Sequence, residues 1–164
     1  MSKETKPFSD ELVKDATSLI VNDPAIVTLG SKVFSAVEAI LRDPRTKTVY
    51  VVDEKKKLVG IITVSDLLKI SCIQIGGIKR PRLLGFFKYM SLLYSETVED
   101  IMRTPISTRD DEKLIHALQL MEKNNLSALP VVDKNNTIVG ELNGLEILTV
   151  IYDKIECGEL EKLV

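Results

Sequence analysis

The chain is written twice, and that constrains it more than any single motif. Pro24 with Lys32-Val33-Phe34-Ser35-Ala36 recurs as Pro105 with Lys113-Leu114-Ile115-His116-Ala117, a shift of 81 positions. Val51-Val52-Asp53 and Gly60 recur as Val131-Val132-Asp133 and Gly140, a shift of 80. One residue in the connection before the strands absorbs the difference. A period of this kind is the mark of a duplicated supersecondary unit. The order within each copy is extended segment, helix, strand, strand, helix.

Local chemistry supports that order in the first copy. Asn22-Asp23-Pro24 stops a helix expected from about Ser9, because a residue before proline is driven out of the helical region. That helix would bury Leu12, Val13, Ala16, Leu19 and Ile20 on one face. Ala25 to Thr28 reads as a short extended segment. Ser31 can cap a helix to about Arg42, with Val33, Phe34, Val37, Ile40 and Leu41 on its apolar face, and Asp43-Pro44 ends it. Thr48 to Asp53 is β-branched and aromatic, Glu54 to Lys57 is a charged turn, and Leu58 to Thr63 is the return strand of a hairpin. A helix follows from Ser65.

A unit of this size cannot bury both faces of its sheet alone. The expected fold is therefore α+β, two pseudo-symmetric βαββα repeats packed through their sheets. The expected boundaries are a lead and helix over 1–16, repeat 1 over 17–70, a linker over 71–97, repeat 2 over 98–151 and a helical tail over 152–164. Such a pair would form two related clefts, each built from both halves.

Composition excludes more than it proposes. With 45% apolar and 28% charged residues the 164-residue chain can bury a core. A formal net charge of -2 provides no basic field for DNA. No apolar run approaches the roughly 18 residues that span a bilayer, so the chain reads as a cytoplasmic protein with no membrane contact expected. Cys72 and Cys157 have no metal-ligand spacing and read as packing thiols. A single histidine, no Gly-rich phosphate loop and no nucleophile elbow leave no residue set that proposes a reaction. His116 replaces Ser35 on the matching helix and reads as solvent-facing or packing. Lys55-Lys56-Lys57 reads as a solvated turn.

The most informative stretch is Gly60-Ile61-Ile62-Thr63-Val64-Ser65-Asp66. Thr63 and Asp66 can form a capping box, the hydroxyl bonding the amide three residues on while the acid reaches back. The same groups, at a strand's carboxyl end, can instead receive a polar ligand. The two readings are compatible.

Val98-Glu99-Asp100-Ile101-Met102-Arg103-Thr104-Pro105, then Leu126-Ser127-Ala128-Leu129-Pro130-Val131-Val132-Asp133, and Leu58 to Asp66 in the first copy together resemble the tandem cystathionine-β-synthase (CBS) repeat, two of which form a Bateman module. The resemblance covers roughly residues 17–70 and 98–151. It implies a non-enzymatic regulatory module, an energy sensor that needs no cofactor and binds AMP, ADP, ATP or S-adenosylmethionine in an inter-repeat cleft. It further implies a homodimer and an effector protein as partners. By resemblance, Thr63 lies near the phosphates and Asp66 takes the ribose hydroxyls. An ionised carboxylate is acceptor-only and suits a cis-diol. Thr108, Leu126, Ser127 and Ala128 of the other repeat would form the base pocket.

The second copy departs from this pattern. Asn143 replaces the hydroxyl residue, Glu146 replaces the aspartate, and Tyr50 makes the matching edge bulky. The cleft of Thr28, Val49, Asn143 and Glu146 is expected to be empty or altered in preference. The alternative function is a structural dimerisation module with vestigial clefts. The linker holds Gly76-Gly77, Lys79-Arg80-Pro81-Arg82 and four of the eight aromatic residues between positions 86 and 94. It reads as a cover for the repeat interface or a dimer contact, with Arg80 or Arg82 as possible phosphate ligands.

Overall fold

The computed structural model describes residues 6–17, 23–43, 45–69 and 96–156. The expectations for Leu19, Ile20, Cys72, Cys157, Arg80, Arg82, the aromatic residues between 86 and 94, and the tail beyond 156 lie outside the described residues. Within them the elements follow the predicted order. A 3-10 turn, Phe8–Asp10, and α1, Val13–Thr17, precede β1, Ala25–Thr28; α2, Val33–Arg42; β2, Thr48–Val52; and β3, Leu58–Thr63. Helix α3 occupies residues 64–69. After a 3-10 turn, Val98–Asp100, come α4, Leu114–Asn124; β4, Ala128–Val132; β5, Ile138–Asn143; and α5, Gly144–Glu156.

The chain divides into two compact units. One is contiguous, Pro24–Pro105, and the other is split, combining Met1–Asp23 with Ile106–Val164. Each therefore holds the body of one repeat and the lead of the other.

In the contiguous unit the sheet order is β1-β2-β3, with β1 parallel to β2 and β2 antiparallel to β3. Every residue of β2 is buried, as expected for a central strand covered on both faces. Val27, Ala36, Val49, Val51, Ile62 and Val98 form its core. Val98 comes from the lead of the second repeat, so the two copies are interleaved along the chain. Each of the buried valine and isoleucine side chains in this core contributes on the order of 1.5–3 kcal/mol.

The split unit has the antiparallel pair β4-β5. Where the first repeat has the four-residue strand β1, the second has one parallel bridge, Thr108 to Val131. The Thr108 amide donates to the Pro130 carbonyl at 3.1 Å and the Val132 amide to the Thr108 carbonyl at 2.9 Å. The next bond in that ladder would need an amide hydrogen on residue 130, which proline lacks. Tyr50, at the matching place in β2, has one, and β1 pairs in full register there.

The two hairpin turns are copies of each other. Asp53 Oδ1 accepts the amides of Lys55 and Lys57, and Asp133 Oδ1 accepts those of Asn135 and Thr137, all within 2.8–2.9 Å. Lys56 and Asn136 take left-handed conformations at φ 61° and 64°, which asparagine tolerates better than lysine. Lys55, Lys56 and Lys57 are solvent-exposed, as is His116.

The start of α2 corrects the sequence reading. Its N-cap is Lys32, and no side chain caps it. Ser31 instead uses its backbone: its carbonyl accepts the Val98 amide at 2.9 Å, while the Val33 amide donates to the Glu96 carbonyl at 3.0 Å. An antiparallel bridge, Lys32 to Thr97, thus supplies the acceptor that a capping hydroxyl would have supplied. The split unit repeats the device with Leu12 and Lys113. There the Val13 amide bonds Glu112 and the Leu114 amide bonds Glu11, both at 2.9 Å.

This pairing also breaks the single N-terminal helix expected from Ser9. Glu11 and Leu12 are extended between the 3-10 turn and α1 because they pair with 112–114. The two leads match in detail. The amide of Leu12 donates to Asp15 Oδ2 at 2.9 Å, and that of Thr97 to Asp100 Oδ2 at 2.8 Å. Those amides are the main reason that both carboxyls ionise below the usual range.

Candidate functional site

The β3–α3 turn holds Thr63 and Asp66 together. The Thr63 hydroxyl accepts the Asp66 amide at 3.2 Å. Asp66 Oδ2 accepts the Thr63 amide at 2.9 Å and the Thr63 hydroxyl at 2.7 Å. That is the capping box predicted from the sequence. A third residue completes the cluster. Arg103, from the lead of the second repeat, places Nε 3.0 Å and Nη2 2.9 Å from Asp66 Oδ2, with Nη2 3.2 Å from the Thr63 hydroxyl.

Arg103 is held there by its backbone. Its amide donates to the Ile61 carbonyl at 2.9 Å and its carbonyl accepts the Ile61 amide at 3.1 Å, an antiparallel bridge along β3. Gly60 permits the approach. A Cβ on residue 60 would collide with Met102 Sδ and would lie 2.9 Å and 3.0 Å from Met102 Cγ and Cβ. Gly140, its copy in β5, has among the described residues only Val131 Cβ, at 4.0 Å.

The β5–α5 turn of the split unit builds the same cap from different residues. Asn143 Oδ1 accepts the Leu145 and Glu146 amides at 2.9 and 3.1 Å, and Glu146 Oε2 accepts the Asn143 amide at 2.8 Å. The carboxylates differ in exposure. Glu146 is 0% exposed, whereas the Asp66 side chain retains 12% and its partner Arg103 46%. Leu142 and Ile147, close to Glu146 in the chain, are buried as well.

The other predicted residues fall as follows. The Gly144 amide donates to the Ser127 carbonyl at 2.9 Å, and Ala128 pairs with Asn143. Leu126, Ser127 and Ala128 thus border the β5–α5 turn within the split unit. Of the three only Ser127 is exposed. They follow an α4 terminus in which Asn125 is left-handed at φ 51° and the Asn125 and Leu126 amides close on Glu122 and Met121, a Schellman arrangement. Thr108 is buried, and its hydroxyl donates to Glu112 Oε2 at 2.8 Å. Its match in the first repeat, by strand register, is Val27 rather than Thr28. Thr28 is exposed at the end of β1, and the Val49 side chain belongs to the core.

Sequence reasoning missed Arg103. Its signal was a cation inside the apolar lead Ile101-Met102-Arg103, but nothing in one chain's spacing shows which turn that lead reaches. Among the described residues no group of three or more His, Cys, Asp or Glu could hold a metal ion, and no helix is long and apolar enough to cross a membrane. A surface depression at the hairpin end of β4–β5 includes Arg109, Asp111 and Asp133. Three of its charged side chains are spent locally, Arg109 and Asp111 on each other at 2.9 Å and Asp133 on its own turn.

A duplicated βαββα unit with a polar cap at each strand-to-helix turn defines a class of tandem-repeat modules. The CBS domain model matches residues 13–72 and 98–153, and the chain belongs to the CBS domain family. Both matches start at the paired leads, at Val13 and Val98. A CBS domain-containing protein from Thermotoga maritima is 37% identical, with a TM-score of 0.73 over 87% of this chain and 95% of that one. The CBS domain pair of protein MJ0100, in complex with 5′-methylthioadenosine and S-adenosyl-L-methionine, is 26% identical, with a TM-score of 0.65 over 88% of this chain and 98% of that one. The inosine-5′-monophosphate dehydrogenase of Halalkalibacterium halodurans is 29% identical over 153 residues, 92% of this chain. The chain spans only 27% of that enzyme's length.

Proposed function

We propose that the chain is a regulatory ligand-binding module for an adenine nucleotide or adenosyl compound, with Asp66 as the acceptor for the ribose hydroxyls and Thr63 beside it. The observation that carries this reading is the state of Asp66. One carboxylate oxygen is committed to the cap and to Arg103. The other takes no hydrogen bond among the described residues and lies in a side chain that water still reaches. A 26% identical relative with adenosyl ligands bound supports the ligand class. We assign Thr108, Leu126, Ser127 and Ala128 to contacts with the base. Thr28, Val49, Asn143 and Glu146 would form the weaker set, since Glu146 is enclosed. Binding would regulate an effector by favouring one of two arrangements of the chain.

Titration calorimetry with AMP and S-adenosylmethionine tests this. Asp66→Ala should weaken binding at least about tenfold, the loss of one charge-assisted hydrogen bond, with the fold kept by circular dichroism. Asn143→Ala should leave affinity unchanged. Unaltered affinity in Asp66→Ala would remove the site.

A second reading, a homodimerisation module, is favoured by one surface. Leu145, Leu148, Tyr152 and Ile155 recur along α5 at helical spacing and are 63%, 60%, 58% and 48% exposed. Light scattering of the wild type and of Leu148→Glu, beside the same calorimetry, separates the two readings, because a purely structural module with vestigial clefts would dissociate in the variant and bind no nucleotide in either form.

A further inference from the structure

We propose that Arg103 selects the ligand of this site, favouring an adenosine that carries a phosphate over one whose 5′ substituent is uncharged. This rests on the ligand reading above and adds the property by which the ligand is chosen.

The arginine's hydrogen bonds use only part of its capacity. Nε and Nη2 are spent on Asp66 Oδ2 and the Thr63 hydroxyl. The two hydrogens on Nη1 take no partner among the described residues, and the side chain is 46% exposed. Asp66 Oδ1 is likewise uncommitted. An acceptor-only group and a donor-only group are thus fixed against each other, each with unspent capacity. A nucleotide has the complementary pair, a hydroxyl-bearing ribose joined to a phosphate.

Charge strengthens the case. A lone Asp66 would repel a phosphate dianion in a chain of net charge -2. Arg103 cancels that carboxylate and offers a planar fork suited to phosphate oxygens. The cluster is also rigid, because the Ile61 bridge and the Gly60–Met102 contact hold the backbone at residue 103. Lead and turn belong to the same compact unit, so the arrangement depends on neither ligand nor partner. Neither oxygen of Glu146 reaches solvent as Asp66 does, so the β5–α5 turn has no comparable surface for selection.

The test compares AMP with 5′-methylthioadenosine, which share the adenosine and differ only at the 5′ position, by titration calorimetry on the full chain. Wild type should prefer AMP by about ten- to a hundredfold, the range for hydrogen bonds to an ionised group. Arg103→Gln should collapse that ratio by lowering AMP affinity while 5′-methylthioadenosine binding is unchanged. Arg103→Lys should restore part of it. Because both backbone bonds of residue 103 survive these substitutions, thermal unfolding should shift little. An unchanged ratio in Arg103→Gln would overturn the proposal, as would equal loss of both ligands or a wild-type preference for 5′-methylthioadenosine. Those outcomes leave ligand binding itself standing. If neither compound binds the wild type, the ligand reading fails and the proposal with it.

Discussion

The β3–α3 and β5–α5 turns perform one structural task with different chemistry. Both close a strand onto a helix with a capping box. Thr63 and Asp66 do it with short side chains that are both half-buried, whereas Asn143 is half-buried and its partner Glu146 is fully enclosed. A cap can be repeated as geometry while the access of water to its carboxylate is not. Exposure of the carboxylate, rather than its presence, distinguishes the two.

The strongest way to break this comparison is to remove each carboxylate. Glu146→Ala should cost about 2–4 kcal/mol, since it opens a cavity and leaves the Asn143 amide without its acceptor. Asp66→Ala should cost only about 0.5–1.5 kcal/mol, because it removes a cap at a site that water reaches. Urea denaturation reads both, and equal losses would mean that burial does not separate the turns.

The glycines that precede the turns provide a second contrast. Gly60→Ala should destabilise by about 1–3 kcal/mol through overpacking against Met102. Gly140→Ala should stay within about 0.5 kcal/mol. If Met102→Ala restores the stability of Gly60→Ala, the lead's approach to β3 is the cause.

The smallest effect sharpens the comparison between the leads that feed these turns. Asp100 accepts the Thr97 amide and ionises at lower pH in the folded chain than in the unfolded one. It therefore adds stability above about pH 4 that is lost as pH falls through its folded value. Asp15 does the same with the Leu12 amide. Asp100→Asn or Asp15→Asn should each lower stability slightly and evenly near neutrality and flatten the acid limb, so that variant and wild type converge as pH falls through the folded value.

Much of this was legible in the sequence because it is local. The β-branched runs, the Asp-led hairpin turns and the Thr63–Asp66 spacing each encode structure over a few residues, and duplication raised their weight. The missed features depend on segments far apart in the chain. Ser31 looked like a cap because its preference is intrinsic, yet the backbone of Glu96 supplies the acceptor. The repeat Leu12-Val13-Lys14-Asp15 against Thr97-Val98-Glu99-Asp100 was present, but it runs at a shift of 85 rather than 81 and begins before the stronger match. Arg103 was visible only as a basic residue, since its partner is fixed by which strand the lead joins.

The exchange of leads also imposes an order of assembly on a chain that is made from one end. Pro24–Pro105 contains consecutive residues only, so its contacts are available as soon as those residues exist. Phe8–Asp10 and α1 have to wait. Asp10 meets Lys113 across a separation of 103 positions, and until then Val13 and Ala16, which end with 0% exposure, have nothing to bury them. The loop that finally closes is an already structured repeat. Closure entropy grows only slowly with loop length, so the arrangement costs little in final stability and is felt chiefly in the rate at which the split unit is completed.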